Sequence, residues 1–314
     1  AGPDEPNVRS SAVRTLAPLL GKPAAFFSTP EAARVGENLL LWHRTNGGWP
    51  KDLDMVLALS RPQRESLLRR QDRTDTTIDN GATTTQVRFL GRLFATARDG
   101  RFRAGALRGV EYLLAAQYPN GGWPQFFPLR DDYSRDVTFN DDAMARTMEL
   151  LDDVAHGRAP FEWADAALRA RAREAFARGV RCIVASQVVV DGRRTAWCAQ
   201  HDEVTLEPRP ARKFEPVSLS GSESVGLVDV LMRVEEPGPD VIAAVESAAA
   251  WLSAVAVRGV RVEHRAAPDG SVDAVVVEDP AAPPLWARFY EIGTNRPIFS
   301  GRDAVVRYRL EEIE

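Results

Sequence analysis

Along most of the chain, apolar residues recur at helical spacing. Thr83–Arg98 carries Val87, Leu90, Leu93 and Phe94 at i, i+3, i+6 and i+7, the stripe of a helix with one face on a core. Phe102–Gln117 repeats the pattern with Ala106, Val110, Leu113 and Leu114. Val35–Arg44, Asp141–His156, Trp163–Gln187, Glu223–Met232 and Val241–Val257 read the same way. Roughly seven to nine helices are predicted before residue 258. Beyond it the period changes. "RGVRVEHRA" and "SVDAVVVED", with "APDG" between them, predict a hairpin. "WARFYEIG", "RPIFSG" and "AVVRYRL" predict further short strands. The division expected is an extension over 1–34, a helical body over 35–257 and a β-rich portion over 258–314, together one catalytic domain.

A repeat overlies this pattern. "NGGWP" at Asn46–Pro50 returns at Asn120–Pro124, 74 residues on, each time after a helix ending in His43 or Gln117. A third helix ends at Gln187 and is followed by Gly192 and Trp197. Asn-Gly-Gly supplies positive-φ positions after a helix, and Pro after Trp discourages its resumption. Helical hairpins are thus expected to recur. Trp49 and Trp123 are either packing plugs under these turns or sugar-stacking faces. His43 is expected to be a buried structural partner.

Composition narrows the class. The chain has 314 residues, 44% apolar, with a formal net charge of −4. That balance gives no footprint for nucleic acid and no polybasic membrane patch. No apolar run is long enough to span a bilayer. The two cysteines, Cys182 and Cys198, suit either one disulfide or two buried thiols.

Four polar segments stand out: "DTTIDNGATTTQ", "RDVTFNDDAM", "PARKFEPVSLSGSES" and "WARFYEIGTNRPIFSGRD". Asp79 and Asn80 precede one helix, and Asn140, Asp141 and Asp142 another. Such residues cap helices, but the doubled acids also offer hard oxygen ligands of the kind calcium takes. Arg212, Lys213, Arg288, Arg296 and Arg302 are interleaved with Phe214, Phe289, Tyr290 and Phe299. Clustered arginines read carboxylates through a planar fork.

"NGGWPKDLD", "TIDNGATTTQVRFL", "YPNGGWPQFFPL", "FNDDAM", "ARKFEPVSLSGSES" and "RFYEIGTNRPIFSGRD" together resemble polysaccharide lyase family 10, the pectate lyases, from about residue 35 to the end. The resemblance implies a mainly α fold: an incomplete α/α toroid with a smaller C-terminal β-rich portion and a groove between them. It implies cleavage of de-esterified polygalacturonate by anti-β-elimination, with Ca²⁺ bridging protein and uronate and an arginine as base. Carried onto this sequence, the metal ligands are Asp79, Asn80, Asp141 and Asp142. Arg212 is the base, with Arg302 its rival: Lys213 beside Arg212 disfavours a charged guanidinium, whereas Asp303 beside Arg302 favours one. Lys213, Arg288, Arg296, Arg302, Tyr290, Trp49 and Trp123 are assigned to substrate. A secreted or periplasmic monomer is expected.

The chemistry is coherent on these residues. Holding a guanidine neutral near pH 9 costs about 3.5 pH units, or ~5 kcal/mol, which neighbouring cations reduce, so activity is expected to rise into the alkaline range. Two other readings use the same residues. An inverting glycoside hydrolase would employ Asp79 and Asp141 as acid and base. A non-catalytic polyuronate-binding module would hold the polymer without turnover.

Overall fold

The computed structural model describes residues 15–266 and 272–313. The tip expected at "APDG" and much of the expected extension lie outside the described residues. The chain divides into two compact units, Ala1–Arg181 and Cys182–Glu314.

In the first unit, Thr29 caps the helix Pro30–Trp42 by accepting from Ala32 N at 3.2 Å, and Pro30 sits where no backbone donor is needed. The helices Thr84–Ala97 and Gly100–Ala116 form an antiparallel pair. Arg98 closes the first in the left-handed region, and Asp99 caps the second. The pair buries the predicted stripe: Val87, Leu90, Leu93, Ala106, Val110 and Leu113 are inaccessible. Ala143–His156 follows and stops at Gly157, φ 60°. Arg61–Leu68 is a helix that periodicity did not predict, because its two leucines stand together at its end and give no helical spacing. A capping box between Ser60 and Gln63 and a proline in its first turn start it. The helix Ala166–Ser186 carries the chain into the second unit.

In the second unit, Val189–Val190 pairs with Arg193–Arg194 across Asp191 and Gly192, both at positive φ, a two-residue hairpin turn. The helices Gly221–Leu231 and Pro239–Ala254 pack together. A four-stranded antiparallel sheet runs in the order Val306–Arg307, Pro297–Ser300, Phe289–Tyr290, Leu219–Ser220. Its register sets Leu219 opposite Tyr290 and Ser220 opposite Phe289. The long hairpin forms as predicted, Val260–Ala266 against Val272–Glu278. With 46% of the chain helical and only small sheets, the expectation of a mainly helical fold is borne out.

Candidate active site

The repeated turn is built once per hairpin. Trp49 Nε1 donates to Leu39 O at 2.8 Å, and Trp123 Nε1 to Leu113 O at 2.7 Å. In the second unit, Trp197 Nε1 donates to Ile183 O at 2.7 Å. All three indoles are inaccessible to solvent. Trp49 and Trp123 therefore present no face to a sugar. They are the packing plugs, each removing on the order of 200 Å² from water, worth at most roughly 5 kcal/mol. Each plug's carbonyl then accepts from the strand leading to a polar segment: Thr77 N on Trp49 O, Thr138 N on Trp123 O, and Ser220 N on Trp197 O. The repeat is a device for placing the chemistry.

His43 and Gln117 do the same work in successive turns. His43 Nε2 donates to Gly47 O at 2.9 Å, while Nδ1 accepts from Arg108 at 2.7 Å. Gln117 Nε2 donates to Gly121 O at 3.0 Å, and its oxygen accepts from Arg178. His43 stacks on Trp49 with ring centroids 3.8 Å apart. Burial first, then the Arg108 charge, pushes its pKa down to about 3, so it is neutral and structural, as expected.

The acidic segments form two matching turns in the first unit, Asp79–Gly81 and Asn140–Asp142, packed against each other. Asn80 has φ 51°, ψ 33° and Asp141 has φ 52°, ψ 31°. Asp142 follows at φ 57°. Asn and Asp tolerate this left-handed region best among residues with a Cβ. Asp142 sits at the N-cap of Ala143–His156 yet makes no side-chain capping bond, and none of these acids caps the helix that follows. Asp79 is buried on the Lys51 ammonium. Its Oδ1 also accepts from Asn80 N at 3.0 Å, while Asn80 Nδ2 donates to Asp52 at 3.3 Å. Asp141 and Asp142 are half-exposed, with Asp141 accepting from Asn140 Nδ2 at 2.8 Å. Lys51 and Asp52, which the sequence reading left unassigned inside "NGGWPKDLD", thus belong to this site. The donor set is carboxylate and amide oxygen, which fits a hard divalent cation. Asp142 also pairs with Arg146 at 3.5 Å.

In the second unit the sheet joins the two arginine segments. Gly221 N donates to Arg288 O at 3.0 Å, which brings Arg288 beside "ARKFEP". Arg212 Nη2 donates to Glu215 Oε1 at 2.5 Å and Nε to Oε2 at 2.8 Å. Arg288 Nη2 reaches the same Oε1 at 3.3 Å and Glu223 at 3.9 Å. Burial raises the Glu215 carboxyl, but the hydrogen bonds and charge of Arg212, then Arg288, outweigh it and hold it below the ordinary glutamate value. Both guanidiniums remain about half exposed over this buried carboxylate. Neither Glu215 nor Glu223 was singled out in the sequence, although both lie inside its motifs.

Other assignments change. Tyr290 is wholly buried: its hydroxyl accepts from Ala287 N at 2.8 Å and donates to Val255 O at 3.2 Å. It is a core residue, not a substrate contact. Asp303 does not neutralise Arg302, because it pairs with Arg307 at 2.6 Å. Arg296 lies over the Tyr308 ring, and Lys213, Arg296 and Arg302 are exposed. Cys182 and Cys198 are free, buried thiols, with burial pushing Cys182 up to about 12.

Residues 43–314 match the pectic acid lyase family. The chain belongs to the pectic acid lyase family. Among solved structures it is similar to a family 10 polysaccharide lyase from Cellvibrio cellulosa, an aspartate-to-alanine mutant in complex with trigalacturonic acid. The TM-score is 0.80 and the identity 31%, covering 93% of this chain and 89% of that one. The same organism's family 10 polysaccharide lyase matches with a TM-score of 0.78 and 31% identity, over 94% and 89% of the two chains. No curated protein matches. The fold expected of a pectate lyase is thus present, and both motif clusters lie inside the matched span.

Proposed function

We propose that this pectate lyase cleaves de-esterified polygalacturonate by anti-β-elimination, with Arg212 as base. One observation carries the proposal: two half-exposed guanidiniums, Arg212 and Arg288, converge on one buried carboxylate within the family's motifs. The histidines in the described core are committed elsewhere. His43 has both ring nitrogens hydrogen-bonded, and His201 likewise, to Cys198 N and Leu206 O.

The reaction moves one proton and two electron pairs. A guanidine nitrogen of Arg212 takes the C5 proton. The C5–H electrons become the C4–C5 double bond, and the glycosidic oxygen leaves C4 with its pair and takes up a proton to end as a hydroxyl, which balances the proton lost from C5. No water is consumed. Glu215 orients the Arg212 fork. Its charge also favours the protonated guanidinium, which Arg288, as a like charge, opposes. Arg288 in addition offers donors to a uronate carboxylate. Asp141 and Asp142, with Asp79 and Asn80 beside them, would hold calcium, which would supply Lewis-acid stabilisation of negative charge on a uronate carboxylate. Arg296, Arg302 and Lys213 are exposed cations available to further uronates. A secreted or periplasmic location follows from a polymer substrate.

Mass spectrometry of an oligogalacturonate digest tests this. Elimination yields fragments whose masses sum to that of the substrate. Fragments that together gain one water would instead mean hydrolysis.

A further inference from the structure

A second buried carboxylate stands beside the one that holds Arg212. Glu223 is 4% exposed, and its Oε1 lies 3.9 Å from Arg288 Nη2. It opens the helix Gly221–Leu231 in the sequence Ser220-Gly221-Ser222-Glu223, the pattern of a capping box. The box is not made. Ser220 is the N-cap residue, yet its side chain caps nothing. Its hydroxyl donates to Glu223 Oε2, and its backbone N–H, the donor such a glutamate would take, goes to Trp197 O at 2.7 Å. Trp197 N donates back to Ser224 Oγ at 3.2 Å. The first turn of the helix is thereby clamped to the third tryptophan plug from both sides, and the Glu223 carboxylate is turned towards Ser220 and Arg288.

A carboxylate buried this deeply is costly unless it is paired. The positive end of the helix favours its charge, but that holds for any acid in a first turn and does not explain the direction taken. Arg288 does. The strand fixes only the Arg288 backbone: Gly221 N donates to its carbonyl at 3.0 Å, and Ser220 stands opposite Phe289. The guanidinium ends a flexible stem, with the side chain 44% exposed, and stays in one place only if its head is held. Two carboxylates meet it there, Glu215 at 3.3 Å and Glu223 at 3.9 Å. Glu215 lies in the turn of "ARKFEP" and is shared with Arg212, whereas Glu223 rides on the clamped helix.

We propose that Glu223 is a positioning residue, holding the Arg288 guanidinium from the clamped turn so that it presents its donors to a uronate carboxylate. Glu215 Oε1 receives Arg212 at 2.5 Å and Arg288 at 3.3 Å, so the arginine that Glu223 holds also steadies the carboxylate that orients the base. The uronate part rests on the lyase reading above; the hold of Glu223 on Arg288 does not.

Two measurements on the full chain test it. Glu223→Gln keeps the shape and an acceptor for Ser220 but loses the charge. Labelling by phenylglyoxal, read by mass spectrometry, follows each guanidine in the free protein. The neutral guanidine is the reactive form, and losing a neighbouring carboxylate favours it, so Arg288 is expected to react about fivefold faster in Glu223→Gln than in wild type. The exposed Arg302 should react equally in both. Equal Arg288 rates overturn the proposal. On polygalacturonate, Glu223→Gln is expected to raise KM about tenfold while kcat falls no more than about twofold. Combined with Arg288→Gln, it should add nothing to the KM rise that Arg288→Gln causes alone. Additive rises, an unchanged KM, or a kcat loss without a KM rise overturn the proposal. A wild-type chain that does not cleave the polymer refutes the lyase reading, and the labelling then decides the role of Glu223 by itself.

Discussion

Arg212 holds Glu215 with both edges of its fork, at 2.5 and 2.8 Å, so the proposed base is tied to the group that most opposes its deprotonation. Removing that charge without changing shape should ease proton loss. Glu215→Gln is expected to move the alkaline rise of kcat to lower pH by about one unit, even if the maximal rate falls. A pH–rate profile over the alkaline range checks this; an unmoved profile would mean that Glu215 does not govern the base. Arg212→Ala should lower kcat by at least ~10³-fold, with a much smaller change in affinity for polygalacturonate.

Asp141 is half-exposed and held at φ 52° in a turn that does not cap its helix. If that conformation exists to present a metal ligand, Asp141→Ala should raise the free calcium needed for half-maximal rate by about tenfold or more. Rate measurements in calcium buffers after chelation decide it. The same titration midpoint as wild type would remove Asp141 from the ligand set.

His43 is buried and neutral, with its pKa lowered to about 3 from 6.5. A depressed histidine contributes stability that is fully present above its unfolded pKa and is lost as pH falls through the window from about 6.5 towards 3. Between pH 6.5 and 4 the loss from this one group is on the order of 3 kcal/mol. Gln117 does the same hydrogen bonding without titrating. His43→Gln should therefore fold at neutral pH and lose less stability on acidification than wild type. Urea unfolding at pH 7 and pH 4 measures the difference.

Gly121 stands at φ 96°, and a Cβ there would lie 2.1 Å from Arg178 O; Gly47, at φ 95°, would meet Arg108 O at 2.4 Å. Gly192 also has positive φ, 75°, but nothing lies within 4 Å of its Cβ position. Gly121→Ala should cost ~2–4 kcal/mol and lower Tm by roughly 5–10 °C, whereas Gly192→Asn should cost under ~1 kcal/mol. Thermal unfolding of the two variants separates backbone collision from dihedral preference alone.

The helices were legible wherever an apolar stripe had to be buried, and the helix Arg61–Leu68 was not, since capping rather than patterning starts it. The site was legible as motifs but less so as roles. Asn-Gly-Gly-Trp-Pro suits a plug and a sugar platform equally well; only the indole bond back to the preceding helix distinguishes them. Asp and Asn before a helix suggest caps, yet the same residues are the ones that accept left-handed backbone, and dihedral angles are not written in sequence. Around Arg212 the adjacent Lys213 drew the reading. A tight turn, closed by Glu215 N donating to Arg212 O at 2.7 Å, makes the third residue the true neighbour. The same reach, four residues along, takes Asp303 to Arg307 rather than to Arg302.

The proposed reaction depends on a guanidine abstracting a proton from carbon. Its most direct test is the ultraviolet absorbance of polygalacturonate incubated at alkaline pH with wild type and Arg212→Ala, each with calcium and with chelator. Absorbance from the new conjugated double bond should rise for wild type with calcium and in no other sample. New reducing ends without that absorbance, or an undiminished rise with Arg212→Ala, would contradict it.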